Sequence, residues 1–151
     1  MGSCQVEGSA QSRSPVDVDV YDRSVGKDGP TERADGREPS FGFEKLDVYQ
    51  RAVDFLALSA EISAAVPPGH HALLEQLRRA SLSIPVNIAE GVGRTGVRDR
   101  KRHYSIARGS AMECAAILDA CRVLSLADAV QLAKARELLH RTVSMLTKMC
   151  R

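Results

Sequence analysis

Four stretches between Leu46 and Met149 place apolar residues three and four positions apart, and this spacing constrains the fold more than any other feature of the chain. A 3.6-residue period turns such positions onto one helical face, whereas a half-buried strand would alternate every second residue. In the first stretch Leu46, Tyr49, Val53, Leu56 and Ala60 follow this rhythm, with Phe55, Ile62 and Val66 widening the stripe. The second carries Leu73, Leu77, Ala80, Ile84 and Ile88. In the third, Ala107, Ser110, Cys114, Ile117, Cys121 and Leu124 form a heptad seam of mostly small residues. Leu132, Ala135, Leu139, Thr142, Leu146 and Met149 repeat it in the fourth. An amphipathic helix draws most of its stability from packing its apolar face on a partner, so four stripes predict four mutually packed helices.

Punctuation between the stripes sets the helix ends. Pro67-Pro68-Gly69 closes the first helix, because prolines cannot continue the intrahelical ladder. Pro85 lies inside the second, lacks an N–H and crowds the Ser81 carbonyl, which predicts a kink over Ser81 to Ile84. Gly91 reads as the C-terminal stop of that helix, and Thr95 as the N-cap of the third. Ser125-Leu-Ala-Asp128 has the shape of a capping box opening the fourth. The expected helices span about 46–66, 71–90, 97–124 and 126–149. Their short connections imply an all-α, antiparallel up-down-up-down four-helix bundle over residues 41–151.

Residues 1–40 differ in kind. They are rich in Gly, Ser, Asp and Pro, and only Val16-Asp-Val18-Asp-Val20-Tyr21 alternates like a strand. Too little apolar surface is present to offset the entropy of ordering, so this segment reads as a disordered tail. The overall formal charge of +2 conceals its acidity: five bases and eight acids precede Phe41, leaving −3 on the tail and +5 on the body. A basic body favours an anionic partner.

Several function classes lack their signatures. Cys4, Cys114, Cys121 and Cys150 contain no C-x-x-C pair, which excludes a zinc knuckle or thioredoxin-type motif. Cys114 and Cys121 would stand about 10.5 Å apart on one helix, beyond disulfide reach, so a reduced, cytoplasmic setting is expected. No apolar run approaches the roughly 20 residues of a membrane span. The opening Met-Gly-Ser-Cys-Gln-Val has neither the charged nor the apolar region of a signal peptide, and Val6 stands where a myristoylation start wants Ser or Thr.

Three segments carry a family resemblance. They are Phe43-Glu-Lys-Leu46-x-Val48-Tyr49-Gln50-x-Ala52, the run from Gln76 through Pro85 to Gly91-x-Gly93-Arg94, and Ser105-Ile106-Ala107-Arg108-Gly109-Ser110-x-x-Glu113. Together they resemble the four-helix-bundle family related to proteins encoded in 23S ribosomal RNA intervening sequences, from Phe43 to the C-terminus. The resemblance implies a homopentameric barrel of bundles with no known enzymatic activity. Relatives of the family, the accessory variability proteins of diversity-generating retroelements, are basic pentamers that associate with nucleic acid and a reverse transcriptase. The chain departs from the pattern in its acidic tail and in Arg100, Lys101 and His103, which occupy a stretch often apolar or aromatic in relatives.

The densest charge lies between Arg78 and Arg108, where eight bases meet only Glu90 and Asp99. Within it Arg94, Arg98, Arg100, Lys101, Arg102 and Arg108 are the candidate phosphate contacts, since clustered cations displace counterions from nucleic acid. Tyr104 is the one aromatic beside them, so recognition of single strands by stacking has little support here. Adjacent Arg78 and Arg79 point about 100° apart and suit structural pairing with Glu75, Glu90 or a neighbouring subunit. Pro85, Asn87, Glu90 and Gly91 complete a structural motif whose polar groups are placed to satisfy the freed Ser81 carbonyl or to bridge helices. Glu137-Leu-Leu-His140 has the spacing of a di-iron ligand pair, but a second such motif is missing.

No catalytic residue, metal or cofactor is therefore expected. The sequence points to a non-enzymatic homo-oligomer that engages RNA, DNA or a ribonucleoprotein through a basic surface. The alternative is a protein-protein adaptor whose charges only solubilise it.

Overall fold

The computed structural model describes residues 40–151; the expected disorder and strand-like alternation of the tail lie outside the described residues. A short 3-10 turn, Gly42–Lys45, leads into four α-helices: α1 (Asp47–Ala65), α2 (His71–Gly93), α3 (Val97–Val123) and α4 (Ala129–Met149). Each helix packs on its neighbours in the chain, α1 also packs on α4, and the backbones of the diagonal pairs stay apart. That closed ring is the up-down-up-down four-helix bundle, and it contains no strand among the described residues.

The helix ends follow local chemistry, though not always the chemistry the sequence suggests. Val66, which precedes Pro67, takes an extended backbone (φ −71°, ψ 132°) and ends α1, as the clash with a following proline ring requires. Gly69 then turns the chain at φ 107°, a region that side chains disfavour. Thr95 does not cap α3; Gly96 occupies that position without a side-chain hydrogen bond. The capping box at α4 is also absent. Asp128 alone does the work, its Oδ1 accepting from the Val130 and Gln131 amides at 2.9 and 3.0 Å.

Ser125 instead closes α3. It adopts φ 54°, while the Leu126 amide donates to the Cys121 carbonyl at 2.9 Å and its own amide to the Arg122 carbonyl at 3.1 Å. This is the Schellman arrangement with serine in the left-handed position usually held by glycine. Buried Leu126 makes the apolar closure.

α2 passes through Pro85 as one uninterrupted helix and continues to Gly93, so Gly91 is not its stop. Gly91 is buried inside the helix for a different reason. A Cβ there would lie 2.4 Å from Tyr104 Cε1 and 2.8 Å from Cδ1, so only a bare backbone lets the α3 ring lie against α2. Small residues extend this close approach along the pair: Ala80 and Ser81 on α2, Ala107 and Ala111 on α3 are all buried.

The core is made of Phe55, Ile62, Leu77, Ile84, Ile88, Leu118, Leu139 and Leu146, each almost wholly excluded from solvent, with Ala52, Cys114 and Cys121 between them. The stripes expected on α2 and α4 face it, Leu73 and Met149 at its edge. On α3 Ala107, Cys114, Ile117 and Cys121 are buried, but Leu124 lies past the helix end and is exposed. The α1 stripe is rotated from expectation: Val53 and Ala60 face outward, and Val48, Ala52, Phe55, Ser59 and Ile62 face inward. α1 is apolar over a broad arc, and its packing between α2 and α4 selects which part of the arc is buried.

Candidate nucleic-acid interface

An antiparallel bundle brings the start of α1, the end of α2, the start of α3 and the end of α4 to one pole. Residues 41–52, 86–104 and 145–151 make up that pole. They hold nine bases (Lys45, Arg51, Arg94, Arg98, Arg100, Lys101, Arg102, Lys148 and Arg151) against four acids (Glu44, Asp47, Glu90 and Asp99), a net of +5. The remainder, residues 53–85 and 105–144, holds seven of each sign and is neutral. The whole formal excess of the bundle thus sits at one end.

The six basic residues singled out in the sequence are not equivalent within this pole. Arg94 follows α2 and is engaged by acids, lying 4.0 Å from Glu90 and 3.5 Å from Asp99. Arg98 and Arg102, one turn apart on α3, are exposed. Lys101 is half-buried and its Nζ donates to the Arg151 carbonyl, tying the start of α3 to the end of α4. Arg100 turns inward beside Tyr104, with its Nε buried and without a hydrogen-bond partner. Burial pushes the Tyr104 hydroxyl pKa up, and the Arg100 charge partly opposes that shift. Arg108 is half-buried two turns further along, away from the pole. Among the described residues no Asp or Glu carboxylate lies within 4.0 Å of Arg98, Arg100 or Arg102.

The run from Arg98 to Arg102 therefore winds around α3 and makes no single basic face, as 100° per residue dictates. Folding brings further cations to the same pole, Lys148 and Arg151 from the end of α4 and Lys45 from the first turn. Sequence reading missed those three because they lie far along the chain from the dense run.

It also missed three aromatic residues at the same pole. The 3-10 turn packs on both α1 and α2, beside the end of α2. Its Phe41 ring stacks on Phe43 with centroids 5.6 Å apart and planes 8° apart, and Phe43 meets Tyr49 edge-on at 4.9 Å. Glu44 locks the turn by accepting from the Phe41 amide at 3.2 Å, and Gln50 Nε2 donates to the Glu44 carbonyl. Phe41 nonetheless remains 67% exposed.

The structural motif resolves into contacts within α2 and contacts from α2 to α3. Arg78 Nη2 is 3.0 Å from both Glu75 oxygens, which holds the Glu75 carboxyl below its ordinary pKa, and Arg79 donates to Gln76 Oε1 at 2.6 Å. Asn87 does not serve the Ser81 carbonyl. Its Nδ2 donates to the Ser83 carbonyl at 2.9 Å, and its Oδ1 lies 3.3 Å from His103 Nδ1. That same ring nitrogen is 3.1 Å from Glu90. Further along α2 and α3, Ser110 donates to Ser83 and Gln76 to Glu113, at 2.9 and 2.7 Å. These pairs fix the antiparallel register where small residues have brought the two backbones together.

At the other pole a cleft of about 660 Å³ opens between α1 and α2, lined by residues including Leu56, Ser59, Ser63, His71, Arg78 and Ser81. Its serine hydroxyls are already spent, Ser59 on the Leu56 carbonyl, Ser63 on that of Ser59 and Ser81 on that of Arg78. With Arg78 paired to Glu75 as well, His71 is the lining side chain left to orient a small molecule, and a single group does not make a convergent set. Glu137 pairs with Arg141 at 2.7 Å and His140 is exposed; among the described residues no three His, Cys, Asp or Glu side chains converge as metal ligands. No described helix is long and apolar enough to cross a membrane.

Comparison with known proteins adds a family. A comparison with curated proteins finds no match. Among solved structures, one of a protein of unknown function from the S23 ribosomal protein family of Bacteroides thetaiotaomicron VPI-5482 aligns with a TM-score of 0.64 at 16% identity. The alignment covers 69% of this chain and 98% of that one, and so speaks to the bundle fold. The family pattern described as 23S rRNA-intervening sequence protein matches residues 44–148, from the locked first turn to the last turn of α4. With more than half of its length matched, the chain belongs to the 23S rRNA-intervening sequence protein family.

Proposed function

We propose that this protein is a non-enzymatic, homo-oligomeric nucleic-acid-binding bundle that docks onto RNA, DNA or a ribonucleoprotein through its basic pole. The observation that carries this reading is the gathering of the entire net charge at one end, with Arg98 and Arg102 exposed and unopposed by nearby carboxylates among the described residues. The mechanism is electrostatic. Lysine and arginine replace counterions on the phosphates, so affinity falls steeply with salt and depends little on sequence. No chemistry is required of the site, which suits a pole built from cations and packing residues.

Self-association is supported by apolar side chains on the outside of α2 and α3. Leu82, Val86 and Ile106 are 52%, 45% and 42% exposed, an arrangement that a second copy would cover at a gain. The pentameric state rests on the family resemblance. A reverse transcriptase or ribonucleoprotein as the physiological partner, and a cytoplasmic location, rest on it too.

The test is native mass measurement followed by a salt-titrated mobility shift with structured RNA and duplex DNA. Binding should weaken by roughly a factor of ten or more between 50 and 200 mM salt if several phosphates are contacted. Joint charge reversal of Arg98, Lys101 and Arg102 should abolish it. Salt-independent binding, or full binding by the reversed variant, would overturn the reading. An adaptor role would instead leave nucleic acid unbound at low salt while a partner protein survives nuclease treatment of the lysate.

A further inference from the structure

The basic pole carries a feature that phosphate contacts alone leave unused. Phe41 is 67% exposed at the first described turn, yet its position is tightly set. Its amide is bonded to Glu44, its carbonyl accepts from the Glu44 amide at 3.1 Å, and one ring face lies on Phe43, which Tyr49 braces from the edge. A large apolar ring held open to water in a fixed orientation suits a flat partner that can extend the stack, because little further ordering is needed on binding. The same pole holds the +5 excess.

We propose that Phe41 is a stacking platform for an unpaired base, so that the basic pole takes a single nucleic-acid strand in preference to a duplex. Resting on the reading of this pole as a nucleic-acid surface, the proposal adds the form of the ligand. Every base has an aromatic face, but in a duplex both faces are covered by neighbouring pairs, and only an unpaired or splayed base can lie on the ring. Cations then track the backbone on either side. Lys45 in the same turn and Arg94 at the end of α2, on which that turn packs, are the nearest candidates by topology, with Arg98 and Arg102 beyond them on α3. Neither RNA nor DNA is favoured by ring and charge alone, since base faces and phosphates are common to both.

The chain contains no tryptophan, which supplies a clean probe. In the full-length protein, Phe41→Trp places a single indole on the platform. Titration with an oligouridylate of about 15 nucleotides should quench its fluorescence saturably, and an RNA duplex of equal length should quench it far less. Phe41→Ala should weaken strand binding by about 5-fold or more and leave duplex binding unchanged, with Phe41→Trp retaining strand affinity. Because the ring is mostly exposed and gives up only its stack on Phe43, both variants should unfold as cooperatively as the parent and at an only slightly lower temperature, which separates a binding loss from misfolding.

An unquenched indole, or strand affinity within twofold of the parent in Phe41→Ala, would overturn the proposal. A change of native mass in Phe41→Ala would overturn it as well, by assigning the ring to a contact between copies. If charge reversal still abolishes binding while Phe41→Ala does not, only the stacking platform fails. If the parent protein binds neither strand nor duplex at low salt, the basic-pole reading fails with it.

Discussion

Replacing Gly91 by alanine sets two effects of known size against each other. In a helix interior that change ordinarily stabilises by about 1 kcal/mol, since alanine has the better helix propensity. Here the new Cβ would stand 2.4 Å from Tyr104 Cε1, when carbon atoms normally approach no closer than about 3.5 Å. The shortfall is roughly 1 Å, and the obstacle is the side of a rigid ring only 6% exposed, not the end of a flexible chain. Relief requires that the ring rotate or that α2 and α3 separate, and separation would lengthen the Ser83–Ser110 and Asn87–His103 contacts. Overpacking of this kind costs about 1–3 kcal/mol, with the upper end apt for a ring wedged between helices. The net expectation for Gly91→Ala is a loss of about 2 kcal/mol, or a melting temperature lower by on the order of 10 °C.

Circular dichroism melting at fixed protein concentration measures this, the concentration mattering because self-association adds to apparent stability. A second arm tests the cause. In a Tyr104→Leu background the obstructing ring is gone, and Gly91→Ala should become neutral or stabilising, a coupling of about 2–3 kcal/mol. A higher melting temperature in the single variant would refute the argument, as would equal effects of Gly91→Ala in both backgrounds.

Four smaller substitutions follow from the same structure. Ser125→Gly should stabilise by about 1 kcal/mol, because glycine takes the left-handed φ of 54° without the Cβ penalty; an urea midpoint that fails to rise would contradict this. Asp128→Ala should cost about 1 kcal/mol through loss of two amide hydrogen bonds at the start of α4, measured the same way, while Thr95→Ala should be near neutral. Burial pushes the Cys114 thiol up from 9.0 to about 12, so the native state keeps its proton where the unfolded chain has lost it. The stabilisation is therefore fully present below about pH 9 and is lost as pH rises towards 12, and Cys114→Ala should flatten that alkaline decline in melting temperature. Thiol reagents at neutral pH should also leave Cys114 and Cys121 unmodified until the bundle unfolds.

Much of the bundle is legible in the sequence alone. Leu132, Ala135, Leu139, Thr142 and Leu146 run along α4 at the spacing that faces them inward, and all five are buried. That stripe is narrow, so periodicity has only one answer. α1 is apolar over a wider arc, and its period is satisfied about equally by Leu46, Tyr49, Val53, Leu56 and by Val48, Ala52, Phe55, Ile62. Only contact with α2 and α4 selects the second set. Glycine and the capping residues proved ambiguous for a related reason. Gly91 has the composition of a stop, but its use is to admit Tyr104 from another helix, a partner that local sequence cannot name.

The candidate site divides in the same way. Residue order along the chain determined the four helices, their antiparallel succession and the dense run of cations between Arg94 and Arg102, because each depends on neighbours within a few positions. Lys45, Lys148 and Arg151 joined that run only when the bundle folded back twice, and folding likewise brought Phe41, Phe43 and Tyr49 to the same pole. Folding also split the run itself, turning Arg100 inward and occupying Lys101 while Arg98 and Arg102 stayed open to solvent. Helical period is a local property, readable from spacing alone; the charge and aromatic surface of a pole is the sum over four chain ends that meet only in three dimensions.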